Sequence, residues 1–232
     1  MYQIQYNGKT CRELGIVVKE RPNIPAPEYD SETYTIPGRD GDLYQTQDTI
    51  RDITISIVMG YVCPPSEWQE RFRTARRWLL SGGDMRLYLD DDPGYYYRVK
   101  KVTVGSSARE VREFGEFTVD FVCAGYQYAK LGDRGITAEE AEENPFDICH
   151  PDYIITGRGD CTLTVNEKTV TALVNGNLTI NTDLMLAYQE DGTPKNTSIT
   201  GEYEDLYLQP GHNTIKITSG FNLKVVPHWR SL

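Results

Sequence analysis

Apolar and polar residues alternate along most of this chain, and a period of two predicts β-strands with one buried face. Ile53, Ile55 and Ile57 alternate with Thr54, Ser56 and Val58. Met85, Leu87 and Leu89 repeat the pattern, Asp90-Asp91-Asp92-Pro93-Gly94 supplies a turn, and Tyr95, Tyr97 and Val99 begin the return strand. Phe117, Val119, Phe121 and Cys123 form another strand, with Thr118 and Asp120 on its other face. Upstream, an alternating stretch from Tyr34, a tight turn at Pro37-Gly38-Arg39-Asp40-Gly41 and a second strand read as a hairpin.

One segment has the period of a helix. Between Pro64 and Leu80, Trp68, Phe72, Ala75 and Leu79 fall on one stripe, while Arg73 and Arg77 face the opposite way. Ser66 with Gln69 three residues later has the form of a capping box. Ser81-Gly82-Gly83 is expected to end the helix through a left-handed glycine.

The alternation lapses from Leu131 to Pro151, where Gly132, Gly135, four glutamates and Asn144-Pro145 read as a linker. It resumes at Cys161, Leu163 and Val165, then at Leu178 and Ile180, and at Leu184, Leu186 and Tyr188. Leu206 and Leu208 precede the turn Gln209-Pro210-Gly211-His212-Asn213; Ile215 and Ile217, then Phe221, Leu223 and Val225, follow. Many short strands with regular turns predict a β-sandwich. The expectation is a mainly β protein: a sandwich or barrel-like domain with one helix at residues 1–130, a linker at 131–151, and a second β-sandwich at 152–232.

Composition narrows the classes. An aromatic fraction of 11% and 232 residues suit folded β domains. There is no apolar run long enough for a membrane helix, and the N-terminal residues lack a signal-peptide pattern, so synthesis and folding in a cytoplasm are expected. The net charge of −10 argues against non-specific nucleic-acid binding. Of that deficit, residues 130–232 carry −7, partly through Glu139, Glu140, Glu142 and Glu143. Five widely spaced cysteines offer no zinc-ligand pairs and read as idle thiols.

Little of the sequence points to catalysis. The three histidines, His150, His212 and His228, have no metal-ligand spacing, and no phosphate loop, dinucleotide fingerprint or nucleophile elbow occurs. No cofactor is expected. Asp90 to Asp92 lack the spacing of a calcium loop. Arg158-Gly159-Asp160 matches an adhesion tripeptide, but such tripeptides arise by chance and this one leads into a strand. The helix arginines Arg71, Arg73, Arg76 and Arg77 have Glu67 and Glu70 within pairing distance along the helix and no aromatic neighbours for base stacking.

Four stretches, in order, carry a resemblance: Ile36-Pro37-Gly38-Arg39-Asp40-Gly41-Asp42-Leu43, the helix from Trp68 with Trp78-Leu79 near its end, Phe121-Val122-Cys123-Ala124-Gly125-Tyr126-Gln127-Tyr128, and Leu206 to Ile215 followed by Val226-Pro227-His228-Trp229-Arg230. In these the chain resembles the distal tail protein family of non-contractile bacteriophage and prophage tails; Gly125 departs from it, standing where proline is expected. The resemblance implies a structural hub and not an enzyme: an N-terminal ring-forming domain and a C-terminal galectin-like sandwich, six copies closing a ring. The ring would bind the tail tube protein, a tail-associated hub or tape-measure protein, and receptor-binding or baseplate proteins, with DNA only passing through. It would sit at the virion tail tip and be assembled in the host cytoplasm. The candidate ring-contact residues are Gly38, Arg39, Gly41, Arg73 and Arg77. A carbohydrate-binding module is the alternative, with Tyr188, Tyr203, Tyr207 and Trp229 as stacking faces. An enzyme such as a wall hydrolase is the third reading.

Overall fold

A computed structural model describes residues 2–111 and 114–232. The chain is mainly β and divides into two compact units, residues 1–127 with Leu232, and residues 128–231.

The first unit contains β1 (Ile4–Tyr6), β2 (Lys9–Thr10), β3 (Val17–Val18), β4 (Tyr29–Thr35), β5 (Asp42–Ile50), β6 (Ile53–Val62), the helix α1 (Trp68–Leu80), β7 (Arg86–Leu89), β8 (Tyr95–Val104), β9 (Ala108–Val111) and most of β10 (Phe114–Ala129). The main sheet runs β2-β1-β7-β8-β10-β6-β3, with β9 also on β10. Its centre is the antiparallel β6–β10 pair. The register sets Ile53 opposite Cys123, Ile55 opposite Phe121, Ile57 opposite Val119 and Met59 opposite Phe117. All eight residues are buried, so the two alternations read from the sequence meet on one inward face.

Helix α1 covers that face with buried Ala75, Trp78 and Leu79, while Trp68 and Phe72 pack at its margin. Trp78 Nε1 donates to the Tyr6 carbonyl at 2.8 Å, and the Tyr6 ring meets Phe121 edge-on at 5.2 Å. The helix termini differ from expectation. The N-cap is Glu67 and no side chain caps it; the Glu67 amide already closes a turn onto the Pro64 carbonyl at 2.9 Å, so the helix begins past Ser66. At the other end Ser81 is extended. The terminal carbonyls are capped from outside: Asn7 Nδ2 donates to the Trp78 and Ser81 carbonyls, each at 3.2 Å. Gly83 (φ +157°) serves by its missing side chain, because a Cβ there would stand 2.3 Å from Asn7 Oδ1.

The second unit adds a short α2 (Ala138–Ala141), β11 (Glu143–Asn144), β12 (Asp152–Val165), β13 (Lys168–Asn181), β14 (Leu186–Tyr188), β15 (Ile199–Thr200), β16 (Gly211–His212), β17 (Ile215–Ile217), β18 (Asn222–Val226) and β19 (Arg230–Ser231). Strands β12 and β13 form one hairpin of 14 residues each, turned by Asn166 (φ 48°) and Glu167 (φ 70°). Two left-handed turn residues suit the twist of such a hairpin. Inward pairs such as Tyr153–Ile180, Ile155–Leu178 and Leu163–Val170 are buried. Gly157 makes room for the Phe221 ring, as a Cβ there would lie 2.3 Å from it. Arg158-Gly159-Asp160 falls inside β12, exposed, and does not precede a strand.

Residues 131–151, expected as a linker, are built into the second unit. Thr137 and Glu140 form the capping box of α2, and Ile136 bridges to Val225. Buried Asn144 donates to the carbonyls of Asp147 (2.9 Å) and Gln209 (3.1 Å). These polar residues satisfy backbone groups that would otherwise lie buried without partners. The expected alternation of Leu184, Leu186 and Tyr188 is out of phase: Leu184 and Leu186 are exposed and Ala187 is the buried member of β14.

Candidate functional site

Among the described residues, strands β4 and β5 pair with each other alone, as a two-stranded ribbon apart from the main sheet. The register places Tyr34 opposite Leu43, Thr33 opposite Tyr44 and Thr35 opposite Asp42. Between them Gly38 (φ 82°) and Gly41 (φ 77°) take left-handed conformations, and the Arg39 amide closes onto the Ile36 carbonyl at 3.1 Å. Nothing lies within 4 Å of where a Cβ would stand on either glycine, so backbone geometry alone calls for them. Thr35 Oγ1 donates to Asp42 Oδ1 at 2.8 Å next to the turn, and Arg51 clasps Asp30 near the base at 2.6 Å. Towards its turn the ribbon is open among the described residues: Tyr44 is 68% exposed, and Leu43, Tyr34 and Ile36 more than 40%, while Asp30, Ser31 and Ile50 near the base are half-buried. Monomeric proteins seldom leave a row of this kind open, and isolated hairpins are marginal in water. Tyr34 also donates to Glu32, which raises its phenol pKa above the ordinary value.

The structure thus brings Gly38, Arg39 and Gly41 together at the ribbon tip. It places Arg73 and Arg77 elsewhere, on the outer face of α1. There they join Arg76, Leu80 and Ser81 around an open depression of about 440 Å³. Glu67 pairs with Arg71 at 3.6 Å, as the spacing implies, and Arg76 lies over the Phe72 ring at 5.0 Å. The exposed ribbon residues Tyr44 and Leu43 and the role of Leu80 escaped the sequence reading, because alternation cannot tell a face covered within the chain from one left open.

Other chemistry is sparse. Among the described residues no group of three His, Cys, Asp or Glu is placed to hold a metal. All five cysteines are buried and free; burial pushes the Cys123 thiol up to about 12 and Cys149 to about 11. Such thiols stay protonated and unreactive near neutrality. His150 stacks on Tyr207 at 4.0 Å between Asp183 (3.0 Å) and Arg230 (2.9 Å). The other expected stacking faces fare no better: Trp229 is buried against Phe146, and Tyr188 and Tyr203 are half-buried. No helix among the described residues is long and apolar enough to cross a membrane.

The turn Gln209–Asn213, one of the stretches carrying the family resemblance, has a structural explanation. Asn213 is fully buried; its Nδ2 donates to the Gln209 (2.8 Å) and Gly211 (3.0 Å) carbonyls, and its Oδ1 accepts from the Gln209 amide (2.8 Å) and Asn166 Nδ2 (2.7 Å).

No family model and no curated protein matches this chain. Among solved structures, the Dit protein of phage SPP1, described as a paradigm of the hub adsorption apparatus in phages infecting Gram-positive hosts, superposes with a TM-score of 0.70. The match covers 100% of both chains at 13% sequence identity. At that identity the likeness establishes a shared fold.

Proposed function

We propose that this chain is a structural hub at the tip of a bacteriophage or prophage tail. Copies close into a hexameric ring that joins the tail tube to the hub or tape-measure protein and to receptor-binding or baseplate proteins, with DNA passing through the lumen. The first unit forms the ring and the second, a galectin-like sandwich, faces outward. The single observation that carries this reading is full-length structural likeness, end to end in both chains, to a phage hub protein. The β4–β5 ribbon supports it: a mostly polar ribbon that leaves Tyr34, Ile36, Leu43 and Tyr44 exposed near its turn suits a heterologous contact repeated around an axis, each copy covering the next. Gly38, Arg39 and Gly41 form the tip of that contact.

A stable interface buries roughly 1,200–2,000 Å², more than the ribbon tip alone provides, so the strands' length must take part. The test is negative-stain microscopy with light scattering on the purified protein, alone and with tail partners. Closed six-fold rings are expected from the wild type, and monomers from a Leu43→Ser/Tyr44→Ser variant. A wild type that stays monomeric at high concentration in both settings overturns the proposal. The carbohydrate-binding reading draws less support, since Trp229 is buried and His150 already covers a face of Tyr207.

A further inference from the structure

We infer that the outer face of α1 docks an acidic polypeptide segment of a partner protein, with an apolar side chain of that segment seated on Leu80. Arg73, Arg76 and Arg77 converge with Leu80 and Ser81 on one open depression of about 440 Å³. Spacings of four set Arg73 beside Arg77 and Arg76 beside Leu80 on the helix surface.

The protein holds 34 acidic residues against 24 basic ones, so carboxylates are in excess everywhere. Even so, Arg73, Arg76 and Arg77 form no ion pair among the described residues, whereas Arg71 on the same helix pairs with Glu67. The helix dipole accounts for a cation in the last turn, which fits Arg77 but not Arg73. Nor does it account for Leu80, 58% exposed at the rim of the three guanidiniums. A basic rim around an apolar spot is the complement of an acidic segment with an apolar anchor. Guanidinium forks match carboxylates bidentately, which gives the contact direction as well as charge.

The features weigh against a nucleic-acid strand. The lining offers no aromatic face for base stacking, Phe72 being already under Arg76, and the net charge of −10 repels a polyanion at longer range. An acidic protein segment is short and local, so the arginines outweigh that repulsion.

This surface lies on a different element from the β4–β5 ribbon and does not depend on ring closure. Fluorescence anisotropy with the full-length protein tests it, using a labelled synthetic peptide of glutamates around a central leucine–phenylalanine pair. The comparison probes are the same peptide with serines at the centre and a duplex DNA of equal charge. The leucine–phenylalanine peptide should bind, more weakly as salt rises. Arg73→Gln with Arg77→Gln should weaken it at least about tenfold, and Leu80→Ser should lower it to the level of the serine peptide. All these positions are exposed, and an unchanged melting temperature shows that the variants fold. Equal binding by the double variant, equal binding of the two peptides, or tighter binding of the DNA overturns the inference. So does a double variant that loses its rings, which would assign these arginines to the contact between copies. A wild type that forms rings but does not bind the peptide would leave the hub reading standing and this one lost.

Discussion

Asn213 shows how much one residue can organise. Its carboxamide makes five hydrogen bonds that close the Gln209–Asn213 turn and tie it to Asn166 and Glu142, and its backbone amide reaches the Glu142 carbonyl at 2.7 Å. Asn213→Ala leaves several buried backbone groups without partners, and each such group costs about 1–3 kcal/mol. Urea denaturation should show a loss of about 2–4 kcal/mol, with Asn213→Asp no better, because it places an acceptor against carbonyls. The buried thiols make a second residue-level prediction. In the unfolded chain cysteines ionise at about 8.5, while in the folded protein Cys123 and Cys149 hold their protons to about 12 and about 11. A raised folded pKa contributes stability that is whole below the unfolded value and lost as pH climbs toward the folded one. Melting temperature should therefore fall as pH rises from about 8 to about 10.5, and a Cys123→Ala/Cys149→Ala variant should decline less steeply over that window. Thiol reagents should label the native protein no faster than it unfolds.

Among the elements, α1 is the one whose ends the sequence does not disclose. Its C-terminal carbonyls are satisfied by Asn7, which is remote in sequence and itself held at φ 49°. Asn7→Gly keeps that backbone conformation and removes only the cap, so it isolates the capping contribution, expected at about 1–2 kcal/mol in thermal denaturation. Gly83→Ala should cost more than that in the wild type, and only part of this cost should disappear in the Asn7→Gly background, because removing Asn7 relieves the 2.3 Å contact but not the strain of a side chain at φ +157°. The wider pattern of success and failure follows from this example. Strands β6 and β10 are legible because each buries one face against its partner, which a period of two records directly. The α1 stripe is legible for the same reason. What periodicity cannot record is a polar residue that works on the backbone: Thr137, Glu140 and Asn144 have the composition of a linker but act as caps and buried donors. Leu184 and Leu186 fail differently, since apolar residues beside the turn keep the alternation without the burial. Both turns that carry the resemblance are readable from the sequence, yet only the structure separates the exposed ribbon tip at Gly38–Gly41 from the internally bonded turn at Gln209–Asn213.

At the scale of the whole molecule the proposed ring raises the question of what would drive copies together. A chain of net charge −10 repels its own kind, and closing the proposed ring would concentrate that charge. If Arg39 at the ribbon tip supplied the attraction, salt would screen it and weaken assembly; exposed ion pairs are worth only about 0–1 kcal/mol even before screening. If the exposed side chains of Tyr34, Ile36, Leu43 and Tyr44 supply it, salt screens mainly the repulsion and assembly strengthens. The exposure of those four side chains favours the second case. Sedimentation velocity from about 0.05 to about 0.5 M salt should show the assembled fraction rising with ionic strength. Arg39→Ala should shift the assembly midpoint by less than about threefold, whereas Tyr44→Ser should shift it by more than about tenfold. A reversed salt dependence together with a large Arg39 effect would move the driving force from the ribbon's exposed apolar side chains to the charge at its tip, and the glycines flanking Arg39 would then matter for aiming the guanidinium as well as for closing the turn.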